Sequence, residues 1–262
     1  MSRTGRLTVV AVGDFGWEIA RGLLYADAAI EAIAVLVEPP ADWAALPWTV
    51  VRDAAEARQL GSRIADFVMG SELVVVVGDA LDPLYADMLP WVAGVAHDFQ
   101  AATLEVVRAD VDDRGEGDPA VGLCVAVRDE NGAFLAIDRL LTLTQGESPR
   151  IGFDHRGFAD LGTGVRARCA DAHGGDHAPV QYERDVAELA RRVGRELRGA
   201  PADAYLVAFG YFPHATPEDL ERAARLIAPD GVPVHLALLQ PSHGYYVLAF
   251  AFERGVGGMV PR

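Results

Sequence analysis

Two short segments of this chain combine backbone amides with carboxylates in a way that could surround a ligand. One follows the apolar residues 7–12, and the other follows the apolar residues 73–77. A β-branched run that ends in glycine and enters a helix is the strand–turn–helix unit of parallel α/β sheets. Ligands of such sheets bind beyond the carboxyl ends of the strands. The two segments supply the candidate binding residues Gly13, Asp14, Gly16, Gly78 and Asp79.

The glycines and the acidic residues of these segments favour different ligands. Glycine lets a backbone N–H approach closely, and such amides bind phosphate at a helix N-terminus. Asp79 and Asp82 are negatively charged, as phosphate is. A carboxylate about 4 Å from one phosphate charge weakens phosphate binding by on the order of 1–4 kcal/mol. Pro83 has no N–H to donate. The sequence therefore predicts a nucleotide-binding type of scaffold in which phosphate binding is weakened.

Glu38 opens a second interpretation, because it follows the second predicted strand. Gly13 and Gly16, with Ile19 where a third glycine often stands, resemble a weakened dinucleotide fingerprint. Glu38 lies at about the right distance along the chain to bind a ribose hydroxyl. These residues are compatible with a Rossmann-type enzyme that binds NAD or another nucleotide. A turn of this kind also occurs where a helix and a strand merely pack closely, so both interpretations stay open.

The composition excludes several classes of protein. The chain has 262 residues, of which 51% are apolar, and this is typical of an ordered globular protein with one or two domains. A net charge of −15 argues against a nucleic-acid partner. No uncharged apolar run approaches the ~20 residues of a membrane helix, and residues 1–6 have no signal-peptide core. Cys124 and Cys169 are too few for a zinc site or a disulfide framework. We expect a cytoplasmic protein without a metal centre or membrane insertion.

The order of predicted elements in the first half gives the fold class. Strands and helices alternate, which predicts a parallel sheet with helical crossovers. We predict strands over 7–12, 30–37, 49–51, 73–77 and 102–107, and helices over 16–26, 54–69 and 83–99. Residues 108–120 are rich in aspartate and glycine, which indicates an exposed loop.

The second half returns to an α/β pattern after an irregular segment. Asn131-Gly132 joins two apolar stretches and predicts a β-hairpin over 121–143. Gly, Asp and His are enriched over 145–179, which indicates a domain boundary or irregular structure. Helices are predicted over 181–197 and 217–227, and strands over 204–209, 232–239 and 245–252. We expect a Rossmann-like parallel-sheet domain over residues 1–150 and a smaller α/β domain over 151–262.

Five segments, in the same order along the chain, resemble the FtsZ/tubulin family of cytoskeletal GTPases. The third, Ile137-Asp138-Arg139-Leu140-Leu141, is similar to the family's Asn-Asp-Arg-Leu-Leu, and the fourth, 161–165, is similar to its Met-Gly-Thr-Gly-Val. The other segments are 9–24, 72–107 and 204–252. The resemblance implies the family's fold, GTP or GDP at the glycine loops, and head-to-tail association of subunits.

The chain departs from the family at the positions that bind nucleotide. The family's Gly-Gly-Gly-Thr-Gly-Thr-Gly corresponds to residues 79–85, Asp-Ala-Leu-Asp-Pro-Leu-Tyr, with Gly78 before it. Ile137 stands where the family has a nucleotide-contacting asparagine, and 142–160 is too short for the long central helix. The resemblance therefore implies a pseudo-GTPase with no catalytic residues, which binds GTP or GDP weakly or not at all. It also implies a homo-oligomer or a protein partner in a cell-division-type role.

Overall fold

The chain forms two compact units. The first comprises residues 1–137, 155–165 and 255–262, and the second comprises 138–154 and 166–254. The computed structural model describes residues 7–25, 30–36, 47–50, 54–71, 73–83, 85–99, 102–109, 121–145, 165–173, 182–210, 212, 215–238 and 246–254. The domain boundary predicted after residue 150 lies outside the described residues and stays a prediction.

The first unit is a parallel sheet whose strands alternate with helices, as predicted. Its strands are β1 (Leu7–Val12), β2 (Glu31–Leu36), β3 (Trp48–Val50), β4 (Leu73–Asp79), β5 (Ala102–Arg108) and β6 (Leu123–Val127). Its helices are α1 (Gly13–Tyr25), α2 (Ala54–Val68) and α3 (Met88–Asp98), and α4 (Glu130–Gln145) begins in it. The strand order is β3-β2-β1-β4-β5-β6, with parallel neighbours throughout. The order reverses direction between β1 and β4, which is where ligands of such sheets bind.

The central strands of this sheet are buried along their whole length. Every residue of β1 and β4 is buried, and most are valine. A parallel sheet whose two faces are both covered has this continuous apolar composition. Near the amino-terminal ends of β1 and β4, the buried hydroxyls of Thr8 and Ser71 form a hydrogen bond of 2.7 Å. These buried strands hold the loops that follow them in fixed positions.

The predicted hairpin over 121–143 is wrong. β6 pairs in parallel with β5, and residues 130–145 form the helix α4. Asn131 and Gly132 lie in the first turn of α4, where the Gly132 N–H donates to Oδ1 of Asp129 at 2.8 Å. An aspartate whose carboxylate accepts a hydrogen bond from a backbone N–H of the first turn strongly favours the start of a helix. This capping interaction overrides the turn preference of the Asn-Gly pair.

Two predicted helix boundaries also differ from the structure. Helix α1 begins at Gly13, directly after β1, because Gly13 adopts a φ of +72° that glycine tolerates. Helix α3 begins at Met88, and residues 85–87 form turns where the prediction extended the helix back to residue 83.

The second unit contains β7 (Val165–His173), α5 (Tyr182–Glu196), β8 (Ala204–Phe209), α6 (Pro217–Ala224), β9 (Val234–Leu238) and β10 (Tyr246–Arg254). Its strand order is β7-β10-β8-β9, with β10 antiparallel and β9 parallel to β8. Strand β7 corrects the prediction of irregular structure over 145–179. Its Ala, Arg and Asp residues have weak strand propensity, and tertiary pairing determines its conformation.

The core of the second unit lies between its helices and β8 and β10. Helix α5 buries Val186, Leu189, Ala190 and Val193, whose spacing forms one apolar stripe. Phe209 and Phe212 meet edge to face, with their centroids 6.2 Å apart. None of the helices in the described ranges is long and apolar enough to cross a bilayer.

The start of α6 carries a pH-dependent contribution to stability. The Asp219 N–H donates to Oγ1 of Thr216 at 3.3 Å, while the Asp219 carboxylate accepts from the Thr216 hydroxyl at 2.7 Å and from its N–H at 3.0 Å. The bond from the Thr216 hydroxyl, followed by the backbone bond, lowers the pKa of the Asp219 carboxyl. A lowered native pKa stabilises the fold above the pKa of the unfolded carboxyl, and the contribution is lost as the pH falls through the native value.

We therefore expect Asp219→Asn to flatten the dependence of thermal stability on pH in the acid range, below about pH 5. The melting temperature followed by circular dichroism at several pH values measures this effect. Glu218→Gln, which removes a charge from the same helical turn, is the matched control and is expected to change the slope less. Equal slopes for the two variants would contradict the role of the capping box.

Candidate functional site

The carboxyl ends of β1 and β4 lie side by side at the point where the strand order reverses. These strands pair from Leu7 with Leu73 to Ala11 with Val77. The first candidate loop continues from β1, and the second from β4. The structure therefore places Gly13, Asp14, Gly16, Gly78 and Asp79 at one edge of the sheet. Glu38, proposed as the ribose ligand, lies outside the described residues.

The ring of Tyr85 occupies the space beside Gly13. A Cβ added to Gly13 would lie 2.6 Å from Cδ2 of Tyr85, so only a glycine leaves room for this ring. Tyr85 is 6% exposed and belongs to the apolar core of the first unit. Asp14, in the first turn of α1, is exposed to solvent. The space that a side chain at position 13 would need is therefore filled by an aromatic ring of the protein itself.

Gly16 and Gly78 are also explained by close packing. A Cβ on Gly16 would overlap the carbonyl oxygen of Val77 and lie 3.0 Å from the carbonyl carbon of Ala11, so α1 runs directly against β1 and β4. A Cβ on Gly78 would lie 2.6 Å from Cδ2 of Leu89 and 3.1 Å from the carbonyl oxygen of Val12. Gly16 faces backbone that cannot move aside, so it is required by the fold whether or not a ligand is present, whereas Gly78 mainly faces the end of the flexible Leu89 side chain.

The backbone amides of the loop after β4 donate within the protein. The Ala80 N–H donates to the carbonyl of Arg108 at 2.9 Å. The Asp82 N–H donates to the carbonyl of Asp79 at 3.4 Å, and those of Tyr85 and Ala86 donate to the carbonyl of Asp82 at 3.1 and 2.9 Å. Pro83 has no N–H. A phosphate placed against this loop would have to compete with these bonds.

Asp79 is buried and compensated by a cation from the neighbouring strand. It is 5% exposed, forms an ion pair with Nη2 of Arg108, and accepts from the Leu81 N–H at 2.9 Å through Oδ1. The hydrogen bond to Asp79 raises the pKa of the Arg108 guanidinium. The guanidinium also lies over the ring of Phe15, 5.1 Å from its centroid. Asp79, Arg108 and Phe15 thus join β4, β5 and α1.

The ion pair with Arg108 changes the expectation drawn from the charge of Asp79. The sequence suggested that the charge of Asp79 repels phosphate, but the partly exposed Arg108 neutralises it. At this edge the structure places amides that already donate within the protein, those of Ala80, Leu81, Asp82, Tyr85 and Ala86, and the ring of Tyr85. Ile137, which the sequence resemblance aligns with an asparagine, is fully buried.

Sequence reasoning missed Tyr85, Arg108 and Phe15. Arg108 had a detectable signal, because it ends β5 and pairs in register with Asp79 at the end of β4. Opposite charges at the ends of adjacent parallel strands are expected to meet. Tyr85 gave no local signal. Within the described ranges, no three His, Cys, Asp or Glu side chains lie together in a way that could hold a metal ion.

The architecture was compared with known proteins. No protein-family model matches the chain, and no curated protein sequence matches it. Solved structures do match over nearly the whole chain. An FtsZ dimer of M. jannaschii has a TM-score of 0.64 at 13% identity, with 95% of this chain and 88% of that chain covered. TubZ of Clostridium botulinum phage c-st gives 0.63 at 12% identity, covering 97% and 94%. CetZ from Methanosaeta thermophila gives 0.69 at 10% identity, covering 94% and 86%.

These matches confirm the fold inferred from the five sequence segments. The chain has the FtsZ/tubulin-like fold, with a mostly parallel α/β architecture. The identities of 10–13% are low enough that the likeness concerns the fold.

Proposed function

We propose that this chain is a pseudo-GTPase with the FtsZ/tubulin fold, a cytoplasmic protein that associates with itself or with a protein partner without hydrolysing GTP. The observation that carries the proposal is the internal hydrogen bonding of the loop after β4. In this fold the loop faces the crevice between β1 and β4, where a nucleotide phosphate requires unengaged amides.

The cost of opening this loop explains why nucleotide binding is weak in this proposal. Each amide hydrogen bond contributes about 0.5–1.5 kcal/mol net, and several would be exchanged for bonds to phosphate. Moving the ring of Tyr85 out of its buried position costs about 1.5–3 kcal/mol more. Since about 1.4 kcal/mol corresponds to a factor of ten in affinity, moving Tyr85 alone would weaken binding about tenfold or more relative to a loop whose amides are already unengaged.

A role in association is supported by apolar side chains of the first unit that remain exposed. Leu81, the second residue of the loop, is 60% exposed, and Trp91 on α3 is 39% exposed. Contiguous apolar patches are typical of surfaces that bind proteins, and these two side chains are the candidates for such a patch. One of the structures with this fold is an FtsZ dimer. We propose that this chain also forms homo-oligomers or binds a protein partner.

A Rossmann-type enzyme that binds NAD is the second candidate. The strand order β3-β2-β1-β4-β5-β6 favours it, because dinucleotide-binding sheets have the same order. A pyrophosphate would need the N-terminus of α1, where Tyr85 and Phe15 already pack. Gly16 has a packing reason that requires no dinucleotide. An absorbance of bound nicotinamide or flavin in the purified protein would favour this enzyme over the pseudo-GTPase.

Calorimetric titration with GTP, together with an assay of phosphate release, tests the pseudo-GTPase proposal. We expect no tight binding of GTP or GDP and no release of phosphate above the background of buffer. Sedimentation of the same preparation tests association, and we expect any oligomer to form equally with and without GTP. Tight nucleotide binding at the β1–β4 edge together with phosphate release would overturn the proposal.

A further inference from the structure

A cavity of about 540 Å³ lies beside the last turns of α5, and we propose that it is a binding site for an organic phosphate. All of its lining residues belong to the second unit. Its charged lining consists of Glu188, Arg191, Arg195 and Arg198. This inference goes beyond the proposed function, which concerns the first unit.

The charged residues of the cavity form one stripe on α5 and its continuation. Glu188, Arg191, Arg195 and Arg198 follow one another at intervals of three, four and three residues. In α5, which ends at Glu196, this spacing places Glu188, Arg191 and Arg195 on one face, and Arg198 follows in the turn after the helix. Arg192, one position further along than Arg191, is exposed and does not line the cavity. The three arginines of the stripe therefore face a common space.

The cavity carries more positive charge than its single acid can balance. Glu188 pairs with Arg191 at 3.6 Å and with Arg195 at 3.8 Å, and all three side chains are more than half exposed. Exposed ion pairs of this length contribute little to stability, so both guanidinium groups remain available to a stronger acceptor. In the described part of the chain, the guanidinium of Arg198 forms no ion pair. Three guanidinium groups and one carboxylate give the lining a net positive charge, which attracts an anion although the whole chain has a net charge of −15.

The other lining residues indicate that the anion carries an organic group. Leu226, which is 40% exposed, and the exposed Pro229 supply apolar surface next to the arginines. A Cβ on Gly194 would lie 2.6 Å from the carbonyl oxygen of Leu226, so α5 rests directly on this wall. A volume near 540 Å³ falls in the range of about 300–1,000 Å³ that is typical of small-molecule sites. Guanidinium groups bind phosphate through paired N–H donors, and the apolar wall can cover an aromatic or aliphatic group.

Titration with phenyl phosphate, inorganic phosphate and phenol, followed by NMR at about 0.15 M ionic strength, tests this site. We expect saturable binding of phenyl phosphate, weaker binding of inorganic phosphate, and no saturable binding of phenol. Arg191→Ala and Arg198→Ala are each expected to weaken phenyl phosphate binding about tenfold, because each removes a charge-assisted hydrogen bond. Glu188→Gln is expected to strengthen binding, because it removes the competing carboxylate.

Arg192→Ala is the matched control, since it removes the same charge from the same helix outside the cavity. It is expected to leave binding within about twofold of the unsubstituted protein, because an exposed charge at this distance is screened. The absence of saturable phenyl phosphate binding, or an equal loss in Arg192→Ala and Arg198→Ala, would overturn the inference. Arg198→Ala also separates the two proposals. GTP binding that it abolishes belongs to this cavity, whereas GTP binding that it leaves intact counts against the pseudo-GTPase proposal.

Discussion

Gly16→Ala is expected to lower the free energy of unfolding of the first unit by about 3 kcal/mol, at the upper end of the usual effect of overpacking. The added methyl group would overlap the carbonyl oxygen of Val77, and it would lie 3.0 Å from the carbonyl carbon and 3.1 Å from Cα of Ala11 on β1. Both obstacles are buried backbone, which cannot move aside as a flexible side chain can. Urea denaturation followed by circular dichroism, without any nucleotide, measures the loss.

Gly94→Ala is the control for this substitution. Gly94 lies within α3, and a Cβ there would have no atom within 4 Å. Alanine is the better helix former, so we expect a gain of about 0.5–1 kcal/mol. The contrast separates the two roles considered for Gly16. If Gly16 is needed for packing, its substitution destabilises the protein even without ligand. If Gly16 is needed only to bind a nucleotide, its substitution leaves the stability of the ligand-free protein unchanged. Equal stability of the two variants would contradict the packing role.

Arg139→Met is expected to destabilise the second unit by about 3 kcal/mol, because it removes the guanidinium that pairs with the mostly buried carboxylate of Asp171. The Arg139 side chain is 12% exposed and pairs with Asp138 at 2.9 Å and with Asp171 on β7 at 3.3 Å. Its guanidinium also lies over the ring of Tyr246 on β10, 5.4 Å from the centroid. Burial raises the pKa of the Tyr246 hydroxyl, and the charge of Arg139 opposes that rise. Arg139 thus contributes charge and packing to three elements.

A double-mutant cycle with Asp171→Asn tests the pairing directly. If Arg139 and Asp171 stabilise each other, the double variant loses less than the sum of the two single losses. Arg222→Ala is the matched control, because its side chain is 76% exposed and pairs with Asp219 only at 3.6 Å. We expect it to cost no more than about 0.5 kcal/mol. An Arg139→Met variant as stable as Arg222→Ala would contradict the importance of this buried pair.

Much of the fold follows from local patterns in the sequence. The valine-rich runs that become β1 and β4 have an apolar composition that only a doubly covered strand explains. The Thr216-Pro217 start of α6 is likewise determined by capping residues within one turn. Where two local signals conflicted, the sequence was insufficient. The Asn131-Gly132 pair favours a turn and Asp129 favours a helix start, and the parallel pairing of β6 with β5 decided between them.

The sequence by itself determined the class of sheet, the resemblance to FtsZ and the glycines that mark the carboxyl ends of β1 and β4. These features depend on neighbours within a few residues, so periodicity and turn chemistry encode them. Only the tertiary structure decided what fills that edge. Asp79 meets Arg108 across 29 residues of chain, and the ring of Tyr85 lies against Gly13 through the packing of a whole helix on the sheet. Such contacts are chosen by the shape of the assembled core, which no local pattern contains.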